Sequence, residues 1–442
     1  MVKDALVAAD QAAGVVGAGG AGFPTHVKLD AQVDCIIVNG AECEPLLQVD
    51  QELAKKHAAE LVQALKACMS STGADTGVFA LKTKYTQAIA ALNAAIAGQA
   101  GLSVFGLQNC YPVGDEHILV HEVSGRVVPE GGIPLNVGIV VINVETLYNV
   151  WLALQGQPVC DTFVTVCGEV RQPVTLRLAV GTSVADALEA AGGVTCDHPV
   201  VINGGPVMGK PVDSMEDPVT KTTKGLIVLP SDHPHVRRMR RPIGLSLERA
   251  VTACCQCRLC TDLCPRALLG HELAPHKIMR AAGYALTEDV AAWTAAFLCS
   301  ECGVCDTFAC PADLSPRQVY RRVKSELGAA GVRNPHRRST VPLPERAYRR
   351  VPTERLIWRM GLESYVVDAP LRDEVLLPET VKIPLKQNAG AASVPVVKVG
   401  EHVSRGQVVA EPPPNALGAR HHASVTGTVT AVGNEVSITR ES

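Results

Sequence analysis

The sequence predicts a multidomain α/β plus α+β protein that ends in a small all-β unit. Three observations predict it. Short apolar runs alternate with helical periodicity through the first part of the chain. A hairpin pattern with a single helix follows, and the C-terminal residues are short β-branched runs broken by Gly, Pro and Asn. At 442 residues the chain exceeds what one hydrophobic core ordinarily serves, so several domains are expected.

The first predicted domain spans residues 1–156. Residues 35–38 (CIIV) read as a buried strand leading into the loop 39–45. Residues 51–70 show helical periodicity, with Leu53, Leu61, Leu65 and Met69 near one face. Residues 78–81 (VFAL) are a second strand and 86–97 a second helix, so a largely parallel sheet in an α/β sandwich is expected. In the second domain, 157–230, residues 163–167 and 174–178 read as a hairpin. Residues 183–191 read as a helix opened by Ser183, and 200–203 as a strand before a glycine turn. That combination fits a ubiquitin-like β-grasp. Residues 245–330 are helical and hold the cysteine clusters. A basic, proline-containing connection at 331–380 follows, within a stretch (317–359) of twelve Lys/Arg against Glu326, Glu345 and Glu354. It reads first as a solvated linker over other domains and second as a docking surface for an acidic partner. Residues 381–442 contain two strand-rich halves, 394–410 and 423–432, of a barrel-sandwich.

Composition narrows the function. Apolar residues make up 47% of the chain, which suits packed cores, and the net charge of −3 argues against bulk nucleic-acid binding. Aromatic residues, at 4%, are few for base-stacking or sugar-binding surfaces. The N-terminal sequence MVKDALVAADQAAG has no basic region followed by an apolar one. The longest apolar runs, such as 138–144 (GIVVINV), fall short of the roughly 20 residues a membrane span needs. A cytoplasmic protein with no membrane span is therefore expected. Sixteen cysteines in a reducing compartment point to metal rather than to disulfides.

Spacing tests that. Cys254, Cys257, Cys260 and Cys264, followed by Pro265, read C-x2-C-x2-C-x3-C-P. Cys299, Cys302, Cys305 and Cys310, followed by Pro311, repeat the pattern with one more residue before the last cysteine. Three thiolates two residues apart wrap one face of a cubane, and the distant fourth closes the remaining corner. Four-cysteine zinc sites share the C-x2-C pairs, but two complete three-plus-one sets with prolines suit two 4Fe-4S clusters. The runs resemble those of two-cluster ferredoxins, in which the fourth cysteine of each run ligates the other cluster. That resemblance implies one cluster on Cys254, Cys257, Cys260 and Cys310, and another on Cys299, Cys302, Cys305 and Cys264. Cys255 reads as a spare thiol, and Cys35, Cys68, Cys110, Cys160, Cys167 and Cys196 as buried core.

Residues 17–25 (GAGGAGFPT), with Lys28 three residues on, form a loop whose N–H groups can approach a phosphate without side-chain clashes. The loop is neither a Rossmann fingerprint nor a GKS/T phosphate loop, and alone it reads as a tight turn at least as readily. Further segments follow in order: 39–45 (NGAECEP), 111–116 (YPVGDE), 125–138 (GRVVPEGGIPLNVG) and 143–146 (NVET). Together they resemble the flavin domain shared by the NADH-binding subunit of respiratory complex I and the C subunit of the Rnf complex. The resemblance implies FMN, with Gly17, Gly19, Gly20 and Gly22 around its phosphate and Lys28 close by. Asn39, Glu42, Asp115, Asn143 and Thr146 would hydrogen-bond the ribityl chain or ring edge. Phe23, Glu44 and Glu116 would face NADH, Phe23 by stacking, and Cys43 lies in the same region. Ala18 and Ala41 resemble the Rnf branch; complex I carries an arginine and an acidic residue there.

Two clusters also match the Rnf protein, but its barrel-sandwich precedes the flavin domain, whereas here a similar segment comes last. This order resembles the cobalamin reductases of propanediol-utilisation microcompartments along essentially the whole chain. The 157–230 module then corresponds to their β-grasp ligand-binding (SLBB-like) domain. The resemblance implies an NADH-dependent oxidoreductase that passes electrons through FMN and two 4Fe-4S clusters to cobalamin, towards cob(I)alamin for adenosylcobalamin regeneration. It implies a cobalamin adenosyltransferase and shell proteins as partners, and a cytoplasmic location within or on a microcompartment. The alternatives are an electron-transfer module between protein partners or across a shell, and an Rnf-type NADH:ferredoxin electron-transfer component.

Overall fold

The computed structural model describes residues 3–441. A four-stranded parallel sheet comes first, in the order Leu102–Leu107, Thr76–Lys82, Cys35–Gly40, Ile139–Asn143. Ile36, Ile37 and Val38 are wholly buried, as a strand covered by helices on both faces requires. The helix expected at 51–70 is two helices, Val49–Lys56 and Ala58–Thr72, because His57 leaves helical geometry with φ −119°. Its ring sits 4.6 Å from that of Tyr148 and its Nε2 3.2 Å from Asp373, contacts that hold it at the break. The second helix packs Leu61, Val62, Leu65 and Cys68 into the core and ends on Gly73 in the left-handed conformation.

Two polar caps aim neighbouring turns at the same end of this sheet. Asn143 ends its strand and caps helix Val144–Leu154, accepting from the N–H of Glu145 (3.0 Å) and Thr146 (3.4 Å). Asp115 caps helix Glu116–Ser124 through His117 (3.0 Å) and Ile118 (3.4 Å). Asn39 and Gly40 end the neighbouring strand. Open α/β sheets bind ligands at these carboxyl ends.

The second sheet has six strands, in the order Leu371–Leu376, Val174–Ala179, Asp161–Gly168, Gly225–Pro230, Pro199–Asn203, Lys210–Pro211. Its antiparallel hairpin, the parallel strand Gly225–Pro230 and the helix Val184–Ala190 make a β-grasp. The connection at 331–380 is less irregular than its prolines and charges suggest. Leu371–Leu376 extends the β-grasp sheet, and Val351–Pro352 pairs with Cys110–Tyr111 of the flavin domain. Four of its arginines are tied inward: Arg338 to Glu130, Arg346 and Arg350 to Glu122, and Arg349 to Asp262. These ties strap other segments together, so this part of the stretch is not the solvated linker its charges suggest.

The cysteine loops are set among short helices around a core of Ile278, Met279, Leu298, Val319 and Tyr320. At the C-terminus, sheets of four and three strands enclose Val381, Ile383, Val403, Val409, Val429, Val436 and Ile438. Among the described residues no helix is long and apolar enough to cross a membrane.

Candidate functional site

The glycine loop is anchored from three sides. Gly17 N–H donates to the Phe23 carbonyl (2.9 Å), and Ala18 N–H to the Thr146 hydroxyl (2.9 Å), which ties the loop to the helix capped by Asn143. From the C-terminal domain, Ala389 N–H donates to the Gly22 carbonyl (3.2 Å). A Cβ at Gly22, where φ is 68°, would press on Asn388 and Gln387. Buried Lys221 donates to the carbonyls of Gly14 and Arg420 (2.8 Å each), and burial pulls its pKa down to about 8.

This loop forms one wall of a cleft of about 760 Å³, within the roughly 300–1,000 Å³ typical of small-molecule sites. Gly19, Gly20, Asn39, Glu42, Glu44, Asp115 and Asn143 line it, as does Cys43. Gly20 faces open space, which is the cradle a phosphate requires. Gly17, Gly22, Phe23, Lys28, Glu116 and Thr146 lie outside that lining. Thr146 supports the loop from behind, and Lys28 is engaged with Glu116 (3.0 Å) and the Val141 carbonyl (3.3 Å).

Sequence reasoning missed the opposite wall, which the β-grasp supplies through Asn203, Gly204, Gly205, Met208, Gly209 and Lys210. Gly205 lies so close to Glu44 that a Cβ would fall on the carboxylate. The signal was a second glycine cluster, NGGPVMG at 203–209, which reads as an ordinary turn until the fold sets it opposite the first.

Lys224 reaches Asp50 (2.8 Å) and Glu145 (2.7 Å), and Asp50 also accepts from the Asn143 amide (2.8 Å). Glu42 accepts from the N–H groups of Asp50 (2.8 Å) and Gln51 (3.3 Å); burial, then the Asp50 charge, raises its pKa to about 8. Burial also lifts Glu44, whose Oε2 accepts from Val207 N–H (2.8 Å). Its Oε1 stands 3.1 Å from the Tyr111 hydroxyl, which donates to the Cys302 carbonyl (2.7 Å). Burial alone would raise Asp115, but Arg266, 3.0 Å away, holds it below its ordinary range. The Cys43 thiol, 2.6 Å from Gly114 N, is pushed by burial up to about 11 and stays protonated near neutral pH.

The two cysteine runs interleave in space. Cys254, Cys257, Cys260 and Cys310 line one cavity with Gln256, Arg258 and His276, and exposed Cys255 sits at its rim. Burial, then charge at Cys310, Cys254 and Cys257, pushes Cys260 up to about 12. Cys302 is raised by burial and then by Cys264 and Cys299; Cys305 by burial, Asp306, Cys299, Cys302 and Cys264. Cys310 therefore stands with the first run and Cys264 with the second. The backbone repeats itself too. Gln256 and Glu301 precede the second cysteine of each run, Arg258 and Gly303 follow it, and all four have positive φ (54°, 61°, 67° and 76°).

Four thiols this close ionise together only where bound cationic charge compensates, which fits an iron–sulfur cluster. Among the described residues no three His, Cys, Asp or Glu side chains converge tightly enough for a single metal ion; a cubane holds its thiolates further apart. Ser300 and Cys302 of the second group also line the cleft of the glycine loop.

Four family descriptions match the chain in order: the Nuo51 FMN-binding domain over residues 11–152, the SLBB domain over 163–211, the 4Fe-4S dicluster domain over 253–315 and the RnfC barrel sandwich hybrid domain over 368–442. Cobalamin reductase PduS of Salmonella typhimurium is 46% identical over 427 residues, 96% of this chain and 94% of that protein. The chain belongs to the PduS cobalamin reductase family. The PduS of Citrobacter freundii is likewise 46% identical, over 97% of this chain and 94% of its own. The C subunit of the Na(+)-translocating ferredoxin:NAD(+) oxidoreductase complex of Acetobacterium woodii matches more narrowly, at 35% over 57% of this chain and 56% of its own. An air-oxidised NAD+-reducing NiFe-hydrogenase chain shares the fold with a TM-score of 0.50 and 20% identity, covering 82% of this chain and 66% of that one. The PduS-family chain is thus an oxidoreductase with an FMN-binding domain and a 4Fe-4S dicluster domain.

Proposed function

We propose that the chain takes a hydride from NADH at the cleft and passes single electrons through its two cysteine centres to cobalamin. The product is the cob(I)alamin that a cobalamin adenosyltransferase would use to regenerate adenosylcobalamin, in association with a microcompartment shell. One observation carries this reading: a single cleft is lined by the glycine loop, by Asn39 and Asn143, and by Cys302 of the second centre. FMN bound there supplies the conversion between a two-electron hydride and one-electron transfers.

The chain's own residues do the remaining work. Gly19 and Gly20 leave room for a phosphate. The Asn39 amide, steadied by the Gly114 carbonyl (3.0 Å), and the Asn143 amide, steadied by Asp50, present polar edges to the ring system. Glu44, whose pKa burial raises, joins the cleft to the second centre through Tyr111. Met208 closes the cleft from the β-grasp side. Phe23 and Glu116, outside the lining, are assigned to the approach of the nicotinamide nucleotide, and Lys28, also outside it, to the side of the flavin phosphate. Cys254, Cys257, Cys260 and Cys310 would hold one cluster, and Cys299, Cys302, Cys305 and Cys264 the other. The acceptor is the one named for the Salmonella and Citrobacter relatives.

A second reading is an electron conduit between protein partners that does not turn over free NADH. The Lys28–Glu116 pair favours it, because it engages a carboxylate expected to face the nucleotide. Anaerobic stopped-flow mixing of the loaded protein with NADH separates the two. Bleaching of the flavin absorbance, followed by formation of cob(I)alamin from cob(II)alamin, is the expected result. A flavin that stays oxidised with NADH, yet bleaches with a reduced protein donor, overturns the first reading in favour of the second.

A further inference from the structure

One cysteine centre touches the cleft and the other touches the surface. Cys302 lines the cleft, while Cys264 and Cys305 are buried. The first centre lies beneath a loop in which Cys255, Gln256, Cys257, Arg258 and Leu259 are all exposed. Gln256 braces that loop, donating to Cys254 Sγ (3.2 Å) and to the His276 carbonyl (3.2 Å).

Cations gather at this opening. Arg258 and His276 line the cavity, and the helix Pro275–Gly283 that carries His276 also carries Lys277 and Arg280. The pairs Arg258–Asp262 and Arg280–Asp289 are loose, at 3.9 Å each, and Lys277 has no ion pair among the described residues. Beside them Val251 (43%), Leu259 (42%) and Tyr284 (58%) are exposed. Tyr284 is held to the patch by donating to the Val251 carbonyl (3.3 Å). The whole chain carries −3, so a cationic rim here does not follow from bulk composition. It also differs from the arginines at 338–350, which are paired with carboxylates of other segments.

We propose that this face docks an acidic redox protein, and that electrons leave the chain at the centre formed by Cys254, Cys257, Cys260 and Cys310. The inference rests on the electron path proposed above and names its exit, the docked protein acting as the carrier between this centre and cobalamin. Each docking oxidises the reduced centre by one electron and reduces the partner's centre by one. Two dockings discharge one hydride taken up at the cleft. The apolar patch permits close approach, while the rim of Arg258, Lys277 and Arg280 steers the encounter.

The test uses the full-length protein loaded with flavin and clusters. It is reduced anaerobically with substoichiometric dithionite, so that no NADH step enters. Ferric cytochrome b5, acidic around its haem, and ferric cytochrome c, basic there, are mixed with it in a stopped-flow instrument. The cytochrome b5 rate is expected to fall as salt rises, and to drop about tenfold in the Lys277→Glu, Arg280→Glu double variant. The cytochrome c rate should not fall in either case. Iron and sulfide content and the reduced-cluster EPR spectrum should match the parent, which separates a docking defect from a lost cluster. If charge reversal unloads the centre, the Lys277→Gln, Arg280→Gln pair and the salt series on the unaltered protein decide. A cytochrome b5 rate that ignores salt overturns the proposal. So does an equal loss in the double variant with free cob(II)alamin as acceptor, which would make the face a corrinoid site. Because the reduction is chemical, such a failure is distinct from a failure of NADH to bleach the flavin.

Discussion

Cys310 follows Cys305 closely in the chain, yet it shares a cavity with Cys254, Cys257 and Cys260. Cys264 makes the reciprocal exchange, feeling the charge of Cys299 after its own burial. A remote cysteine is therefore expected to act on the other run's centre. Cys310→Ala should unload one cluster, and adding Cys257→Ala should remove no further iron, because both changes strike the same centre. Cys310→Ala combined with Cys302→Ala should remove both clusters. Iron and sulfide analysis with EPR of the reduced protein reads the difference. Both clusters lost in the Cys310, Cys257 double variant and only one in the Cys310, Cys302 double variant would overturn the crossed arrangement. The spacing of all eight cysteines is legible in the sequence, since the motif is local. Which sulfurs share a centre is implied in the sequence only by the resemblance to two-cluster ferredoxins, and it is the fold that brings Cys310 into the cavity of the first run.

Loops and caps set the cleft at the scale of elements. Asn143 and Asp115 are both N-caps and cleft walls, so the hydrogen bonds that start two helices also fix polar groups at the carboxyl edge of the sheet. The sequence motifs around them survive into the structure because capping is local. The helix expected at 51–70 does not survive whole, since the contacts of His57 with Tyr148 and Asp373 come from distant segments and override local periodicity. Lys28 and Glu116 show the same limit: each is a plausible ligand by position, and the fold pairs them with each other. The loop 203–209 was unreadable as a wall for a similar reason, because nothing near it in sequence says that Glu44 lies beneath Gly205. That contact is tight enough to test. Gly205→Ala should push the loop off Glu44, costing about 1–3 kcal/mol of stability, and weaken flavin retention with both clusters still loaded. Thermal melting, flavin fluorescence after gel filtration and iron content check it; flavin retained at the parental level would show that this wall does not shape the site.

Across the whole molecule, the flavin cleft is a joint. Lys224 of the β-grasp lies between Asp50 and Glu145 of the flavin domain, and Ala389 of the barrel-sandwich holds the glycine loop at Gly22. Lys224→Met would leave two buried carboxylates without their cation, an expected loss of about 3–5 kcal/mol. The deficit should narrow as pH falls towards the ordinary glutamate value of 4.5, because burial already raises the pKa of Glu145 and protonation removes the unpaired charge. Denaturant titrations of variant and parent at neutral and acidic pH measure it, and a gap that widens on acidification would contradict the assigned pairing. By itself the sequence determined the domain classes, their order, the two cysteine motifs and the glycine loop, because each is written in short-range spacing, capping and hydrophobic periodicity. Tertiary structure alone decided that the β-grasp closes the flavin cleft, that one cysteine centre faces that cleft while the other faces solvent, and that the basic connection straps domains together. Those outcomes depend on pairings between residues far apart in the chain, where burial and charge complementarity between whole surfaces choose the partner.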